Sequence, residues 1–176
     1  HDNWGDLSRT PDLAGAKFER MGDDVYAFMR GSLGQFRRDL EAPVGFDTRT
    51  RYLTAEASTV QIVGDPHIEN IGTFRLENAS LAVEFNDFDA AAYGAYHTDV
   101  WRLATSWHTF GLTASFSKLS EAQWLDVAEA TARGYADEIA ALAESPGLEL
   151  DMTRTAVFED LVEEAQEDGE DLSLLE

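Results

Sequence analysis

Val63-Gly64-Asp65-Pro66-His67-Ile68-Glu69-Asn70 and Asn86-Asp87-Phe88-Asp89 are the two segments whose reading decides the fold. Each follows a stretch with strand character. Thr59-Val60-Gln61-Ile62-Val63 is short and β-branched, and Leu81-Ala82-Val83-Glu84-Phe85 alternates as a strand should. A further short strand is predicted over 71–76. Polar clusters where the backbone leaves a sheet are frequent functional positions. Asp65, His67, Asn70, Asp87 and Asp89 offer carboxylate, imidazole and amide donors. Hard cations such as Mg²⁺ prefer carboxylate and amide oxygens. Taken singly, each segment also reads as a turn, because Gly-Asp-Pro turns readily and Asp can bond its own backbone.

Outward from these segments the pattern is helical. Val25, Met29, Leu33, Phe36 and Leu40 recur at three-to-four spacing, widened by Phe28, and predict one helix over 22–41. Arg30, Arg37 and Arg38 lie off or at the edge of that stripe, and Pro43 and Gly45 end it. A second helix is predicted over 98–113 with Thr98 as N-cap. Trp101, Leu103, Trp107, Phe110 and Leu112 cover most of its circumference, which predicts a buried helix. Arg102 on such a helix should pair with a carboxylate, since an unpaired buried charge is costly. Ser120-Glu121-Ala122-Gln123 is a capping box opening a helix to about Glu144, with Trp124, Ala128, Thr131, Tyr135, Ile139 and Leu142 on one stripe. Residues 1–18 show no period and read as an arm with a short helical turn; 44–58 read as loop. A last helix is expected over 153–167, and the run from Glu159 to Glu176 as a solvated tail. The expectation is a mainly helical α+β fold with a short β-ribbon carrying the two loops. It divides into an arm (1–21), a loop-bearing region (22–145) and an acidic helix and tail (146–176).

Charge excludes some functions. The 176 residues hold 34 acids and 13 bases, a net charge of −21, which argues against nucleic-acid phosphates and anionic membrane surfaces as partners. Residues 1–58 are net −2, 59–118 net −4 and 119–176 net −15, so the acidity lies mostly outside the loop segments. A solvated acidic helix face and salt adaptation both account for it. With no cysteine there is no disulfide scaffold or thiolate metal site. No apolar run approaches the roughly 18–20 residues of a membrane span. The first residue is His1 rather than Met, so a processed or truncated chain is expected. The residues present carry no signal-peptide core or targeting motif, and leave the compartment open.

Asp65 and Asn70 are five residues apart, and Asp87-Phe88-Asp89 follows after a strand. In protein kinases a catalytic-loop Asp accepts the substrate hydroxyl proton and an Asn five residues on binds a metal. A separate Asp-Phe-Gly supplies the main metal carboxylate. Gly64-Asp65-Pro66-His67-Ile68-Glu69-Asn70 resembles the Gly-Asp-x-His-x-x-Asn loop of the aminoglycoside phosphotransferase and choline kinase group. The run Phe28-Met29-Arg30-Gly31, Gly64 to Gly72, Asn86 to Asp89 and Asp99 to Ser106 resembles, in order, the motifs of a bacterial family called domain of unknown function 2252. The resemblance covers about residues 18–140.

That resemblance implies a protein-kinase-like fold and an ATP- and Mg²⁺- or Mn²⁺-dependent phosphotransferase acting on a small-molecule or protein hydroxyl. It implies Asp65 as catalytic base, with His67 orienting the loop. Asn70 and Asp87 would be metal ligands, with Asp89 at a second metal or a water. Asp99 would brace the loop by accepting its backbone or His67 hydrogen bonds. Arg30 would meet Asp89 or a phosphate, or else be a solvated surface charge. Three departures stand out: Val63 replaces a loop His, Asp89 replaces the Gly after Asp-Phe, and no glycine-rich loop or strand-borne lysine precedes the motif, Lys17 lacking that context. The family also continues past the region present here, so a fragment of a longer chain is expected. Two other readings stay open: a metal-dependent phosphoesterase, which needs histidines beyond His97 and His108, and a non-catalytic kinase-like binding module.

Overall fold

The computed structural model describes residues 9–41, 50, 54–56, 59–75, 81–115 and 118–145. Three helices come first: α1 (Pro11–Met21), α2 (Val25–Gly31) and α3 (Leu33–Glu41). Strand β1 (Val60–Ile62), a 3₁₀ turn at Ile68–Asn70, β2 (Ile71–Arg75), β3 (Leu81–Phe85) and β4 (Ala92–Gly94) follow. Helices α4 (His97–Thr113) and α5 (Glu121–Glu144) close the described chain. The class is the expected one, α+β and mostly helical. The strands form two antiparallel pairs, β1 with β4 and β2 with β3. Most of the 44–58 loop, and all of the helix and tail read beyond 146, lie outside the described residues.

The first two helical expectations need correcting. The segment read as an arm carries the 11-residue α1. Pro11 stands in its first turn, where a fixed φ suits the helix and no N–H is missed, and Asp12 complements the N-terminal partial charge. Only Ala14 of α1 is buried, so the helix leaves no apolar stripe in the sequence. The single helix predicted over 22–41 is two, broken at Ser32 (φ −106°, ψ 28°). A Gly-Ser pair is a common place for a helix to bend, and Gly31-Ser32 is such a pair. Asp24 caps α2 by accepting from the Ala27 N–H at 2.7 Å.

Helix α4 packs against α2 and α5. Edge-to-face rings run across it, Tyr26 to Phe110 at 5.5 Å and Phe110 to Trp124 at 6.1 Å. Gly111 lets Trp124 lie on the α4 backbone, because a Cβ there would sit 2.1 Å from the indole. The start of α4 differs from expectation. Its cap position is Tyr96, and Thr98, one residue inside, donates its hydroxyl to the Ala95 carbonyl at 2.8 Å. Its buried residues are also not the apolar ones: they are His97, Arg102, Ser106 and Thr109, while Leu112 stays exposed. The hydroxyls of Ser106 and Thr109 bond carbonyls of their own helix at 2.8 Å, which lets them be buried. The capping box of α5 forms as read, with Gln123 N–H on Ser120 Oγ and Ser120 N–H on Gln123 Oε1. Its stripe is buried at Trp124 and exposed at Tyr135 and Ile139; Tyr135 stacks on Tyr96.

Candidate functional site

Two loops, 63–70 and 86–91, are held face to face by the strands that flank them. At one end β1 pairs with β4, Val60 opposite Gly94 and Ile62 opposite Ala92. At the other end β2 pairs with β3, Ile71 opposite Phe85. The Asn86 N–H continues the second ladder onto the Asn70 carbonyl at 2.8 Å. The loops also touch between these ends. Gly64 has φ +86°, and a Cβ on it would lie 2.1 Å from the Ala90 carbonyl oxygen. Arg37, from α3, donates to that same Ala90 oxygen at 2.7 Å, with the Gly64 oxygen at 3.5 Å. Strand β4 is too short for its three residues to carry a periodicity, and its pairing is long-range.

Beneath the loops lies a buried polar floor. Arg102 is 1% exposed and donates through Nε to Asp65 Oδ1 at 2.8 Å, and through Nη2 to the Met29 carbonyl at 2.8 Å. Its guanidinium carbon stands 5.1 Å from the centre of the Phe36 ring. This is the carboxylate partner expected for Arg102, and it is Asp65 itself. Among the described residues nothing else donates to the Asp65 carboxylate, so Oδ2 is the oxygen left for chemistry. Asp99, in the first turn of α4, accepts from the Val63 N–H at 2.7 Å and the Gly64 N–H at 3.0 Å. It braces the loop through backbone, as expected. Burial holds its carboxyl above the usual carboxylate range, with those two N–H groups and Arg37 pulling the other way. Asn70 is buried and donates its amide to the Asp65 carbonyl at 3.1 Å, which closes the loop on itself.

Above the floor opens a cleft of about 670 Å³, bounded by α1, α2, α3 and both loops. Asp65, Asp87 and Asp89 line it, and so do Lys17, Arg30, Arg37 and Arg38. Asp87 Oδ1 accepts from the Asp89 N–H at 3.1 Å, which fixes the loop's turn. Arg30 pairs with Glu69, not with Asp89. Of the residues singled out from sequence, the structure gathers Arg30, Asp65, Asp87 and Asp89 at the cleft. His67 and Asn70 are not among its lining residues. His67 is 3% exposed and its Nδ1 has no partner among the described residues. Burial, then Arg30, pushes its pKa below the ordinary histidine value, which favours the neutral ring. His97 and His108, both on α4, do not line the cleft either. Arg37, Arg38 and Lys17 were missed as site residues. Arg37 offered only its place at the edge of the apolar stripe, and Lys17 sits on the helix that showed no pattern.

The donors fit a magnesium ion in one way only. Among the described residues no three of His, Asp and Glu gather closely enough to hold a metal by themselves. Mg²⁺ is ordinarily bound by one or two carboxylates together with substrate phosphates and waters, rather than by an all-protein cage. Asp87, with Asp89 beside it on a cleft that also holds cations, suits a metal that arrives with phosphate.

A family model described as an uncharacterized protein conserved in bacteria, DUF2252, matches residues 9–174. No curated protein and no solved structure matches the chain. Among the described residues no helix is long and apolar enough to cross a membrane.

Proposed function

The chain belongs to the DUF2252 family, and we propose that it is a kinase-like phosphotransferase, or the catalytic half of one, moving phosphate from ATP to a hydroxyl acceptor. The observation that carries this reading is the facing pair of loops. Asp65 and Asp87, on separate strand ends, reach one cleft that also holds basic side chains.

Asp65 is the base. Arg102 holds Oδ1 and so fixes the carboxylate plane, and Oδ2 accepts the proton of the acceptor hydroxyl as the acceptor oxygen bonds to the terminal phosphorus and the bond from that phosphorus to the bridging oxygen breaks, ADP leaving with the bond's electron pair. Asp87 is the group that would hold Mg²⁺ or Mn²⁺ at the cleft, with Asp89 at a second ion or a water, and Asn70, buried outside the lining, keeps the loop closed through its bond to the Asp65 carbonyl. When bound, the metal neutralises charge on the phosphate oxygens. Asp99 keeps Val63 and Gly64 in place, so the base cannot drift from the acceptor. The catalytic loop's order, Asp65 then Asn70 across a tight turn, with the second carboxylate from a neighbouring strand, supports a kinase-like core.

The test is calorimetric titration of the whole natural protein with Mg²⁺ and ATP. Binding is expected in the wild type and lost in Asp87→Ala, whose exposed side chain is not part of the floor. Asp65→Asn should still bind but lower turnover on the order of 10²–10⁴-fold. A wild type with no affinity for Mg²⁺ and ATP would sink the proposal.

A further inference from the structure

We infer that the helix-borne part of the cleft lining is a phosphate-chain anchor, built from Lys17 on α1 and Arg38 on α3, with Arg30 of α2 on the same cleft. The inference deepens the phosphotransfer reading and rests on it only for the identity of the anion. The chain's net charge is −21, a field that repels anions. Yet this cleft is lined by four cationic side chains against three carboxylates. Four of only 13 lysines and arginines in the chain therefore converge on one cavity. The four do different things. Arg37 is committed to the Ala90 and Gly64 carbonyls and holds the loops together. Arg30 is half exposed and meets Glu69. Lys17 is half-buried in the cleft lining, and Arg38 is exposed, bonding Gln35 Oε1 at 3.0 Å on its own helix.

A cleft that takes lysine and arginine from its helices and aspartates from its loops has a defined complement. It is an anion of several charges that presents oxygens to the cations, and shares a divalent ion with the carboxylates. A chain of phosphates meets both requirements; a monoanion meets only the first. Guanidinium forks match phosphate oxygens in two-point bonds and lysine acts as a point charge. This placement also answers the missing strand-borne lysine. The cationic groups come here from helices that precede the loops and line the same cleft. Free inorganic polyphosphate and the phosphate tail of a nucleotide share this chemistry.

The experiment titrates the whole protein with inorganic tripolyphosphate, ATP and adenosine, first without metal and then with Mg²⁺. Tripolyphosphate and ATP should bind with similar affinity, weakening as salt rises, and adenosine should not bind. Lys17→Met and Arg38→Gln should each weaken tripolyphosphate about tenfold. Lys118→Met, at an exposed lysine away from the cleft, is the control and should leave the affinity unchanged. Lys17→Arg should restore most of the affinity, which separates lost charge from lost packing. Unchanged tripolyphosphate affinity in both Lys17→Met and Arg38→Gln would overturn the inference, as would a wild type that binds adenosine but no tripolyphosphate. Anchored tripolyphosphate with no phosphotransfer to any hydroxyl supports the anchor and removes the catalytic reading instead.

Discussion

The floor of the cleft and its rim use the same residue types to different ends. On the floor, Arg102 is 1% exposed and its partner Asp65 keeps 22% of its side chain open, with further bonds to the Met29 carbonyl and contact with Phe36. On the rim, Arg30 and Glu69 form an ion pair with 47% and 48% exposure. An exposed pair contributes at most about 1 kcal/mol, because water and salt screen it and two long side chains must be held still. A buried pair behaves differently: its desolvation cost is offset only while every partner is present. The floor is therefore fixed geometry that holds a base, and the rim is where a ligand can exchange partners at little cost.

The largest break in this contrast should come from Arg102→Ala. It leaves Asp65 without its donor and the Met29 carbonyl without its partner. The expected loss is about 3–5 kcal/mol in chemical denaturation. A double variant, Asp65→Asn with Arg102→Met, should recover part of that loss by removing both charges together. If the double variant is no better than the single, the pair is not what holds the loop. Gly64→Ala comes next. Positive φ alone costs on the order of 1 kcal/mol for a side chain, and the Cβ would also push against the Ala90 carbonyl. The two loops would separate there, so turnover should fall along with stability; a variant with full activity would remove Gly64 from the geometry of the site.

The loops could be read from sequence because their signals are local. Short β-branched runs, a Gly-Asp-Pro break and a five-residue Asp-to-Asn spacing all fall inside a few residues. A carboxylate for Arg102 followed from the cost of burying charge, although only the structure names Asp65 as that carboxylate, and Asp99 as brace came from the resemblance alone. What could not be read depended on distant pairing. Strand β4 is three residues long, and its partner β1 lies far back in the chain, with Ile62 opposite Ala92. Lys17 reaches the cleft from a helix with one buried residue, Ala14, so no stripe announced it. The buried face of α4 was misjudged because its hydroxyls are satisfied by their own helix and its arginine by another loop. Hydropathy counts those residues as polar without seeing their partners. The kinase-like order of the motifs remains a reading of spacing, and the cleft is what turns it into a chemical proposal.

Asp99 sharpens the comparison through pH. Its folded pKa is raised from 3.8, chiefly by burial. A carboxyl raised in the folded state favours folding when protonated. Its contribution is fully present below the unfolded value and is lost as pH rises through the raised one. Wild type should therefore lose stability relative to Asp99→Asn as pH climbs from 3.8 upward, and the difference should level off above the folded value. His67, whose pKa is lowered by burial and Arg30, acts in the opposite sense: its contribution is present above 6.5 and fades as pH falls through its folded value. Stability curves of wild type, Asp99→Asn and His67→Gln against pH separate the two. A wild type and Asp99→Asn that run parallel throughout would mean that Asp99 is not desolvated.

The smallest effect belongs to the rim, and it is the one that links stability to binding. Glu69→Gln removes the partner of Arg30 while leaving every floor contact in place. Stability should change by less than about 1 kcal/mol, since both groups are half exposed. Binding should move in a definite direction. With Glu69 neutral, Arg30 loses a competitor for phosphate oxygens and the cleft loses one nearby negative charge. Tripolyphosphate should therefore bind more tightly in Glu69→Gln, by less than about tenfold, and the gain should shrink at high salt. A weaker ligand with unchanged stability would show that Glu69 itself helps to hold the ligand, and would move it from the competitor's place to the metal's side of the cleft.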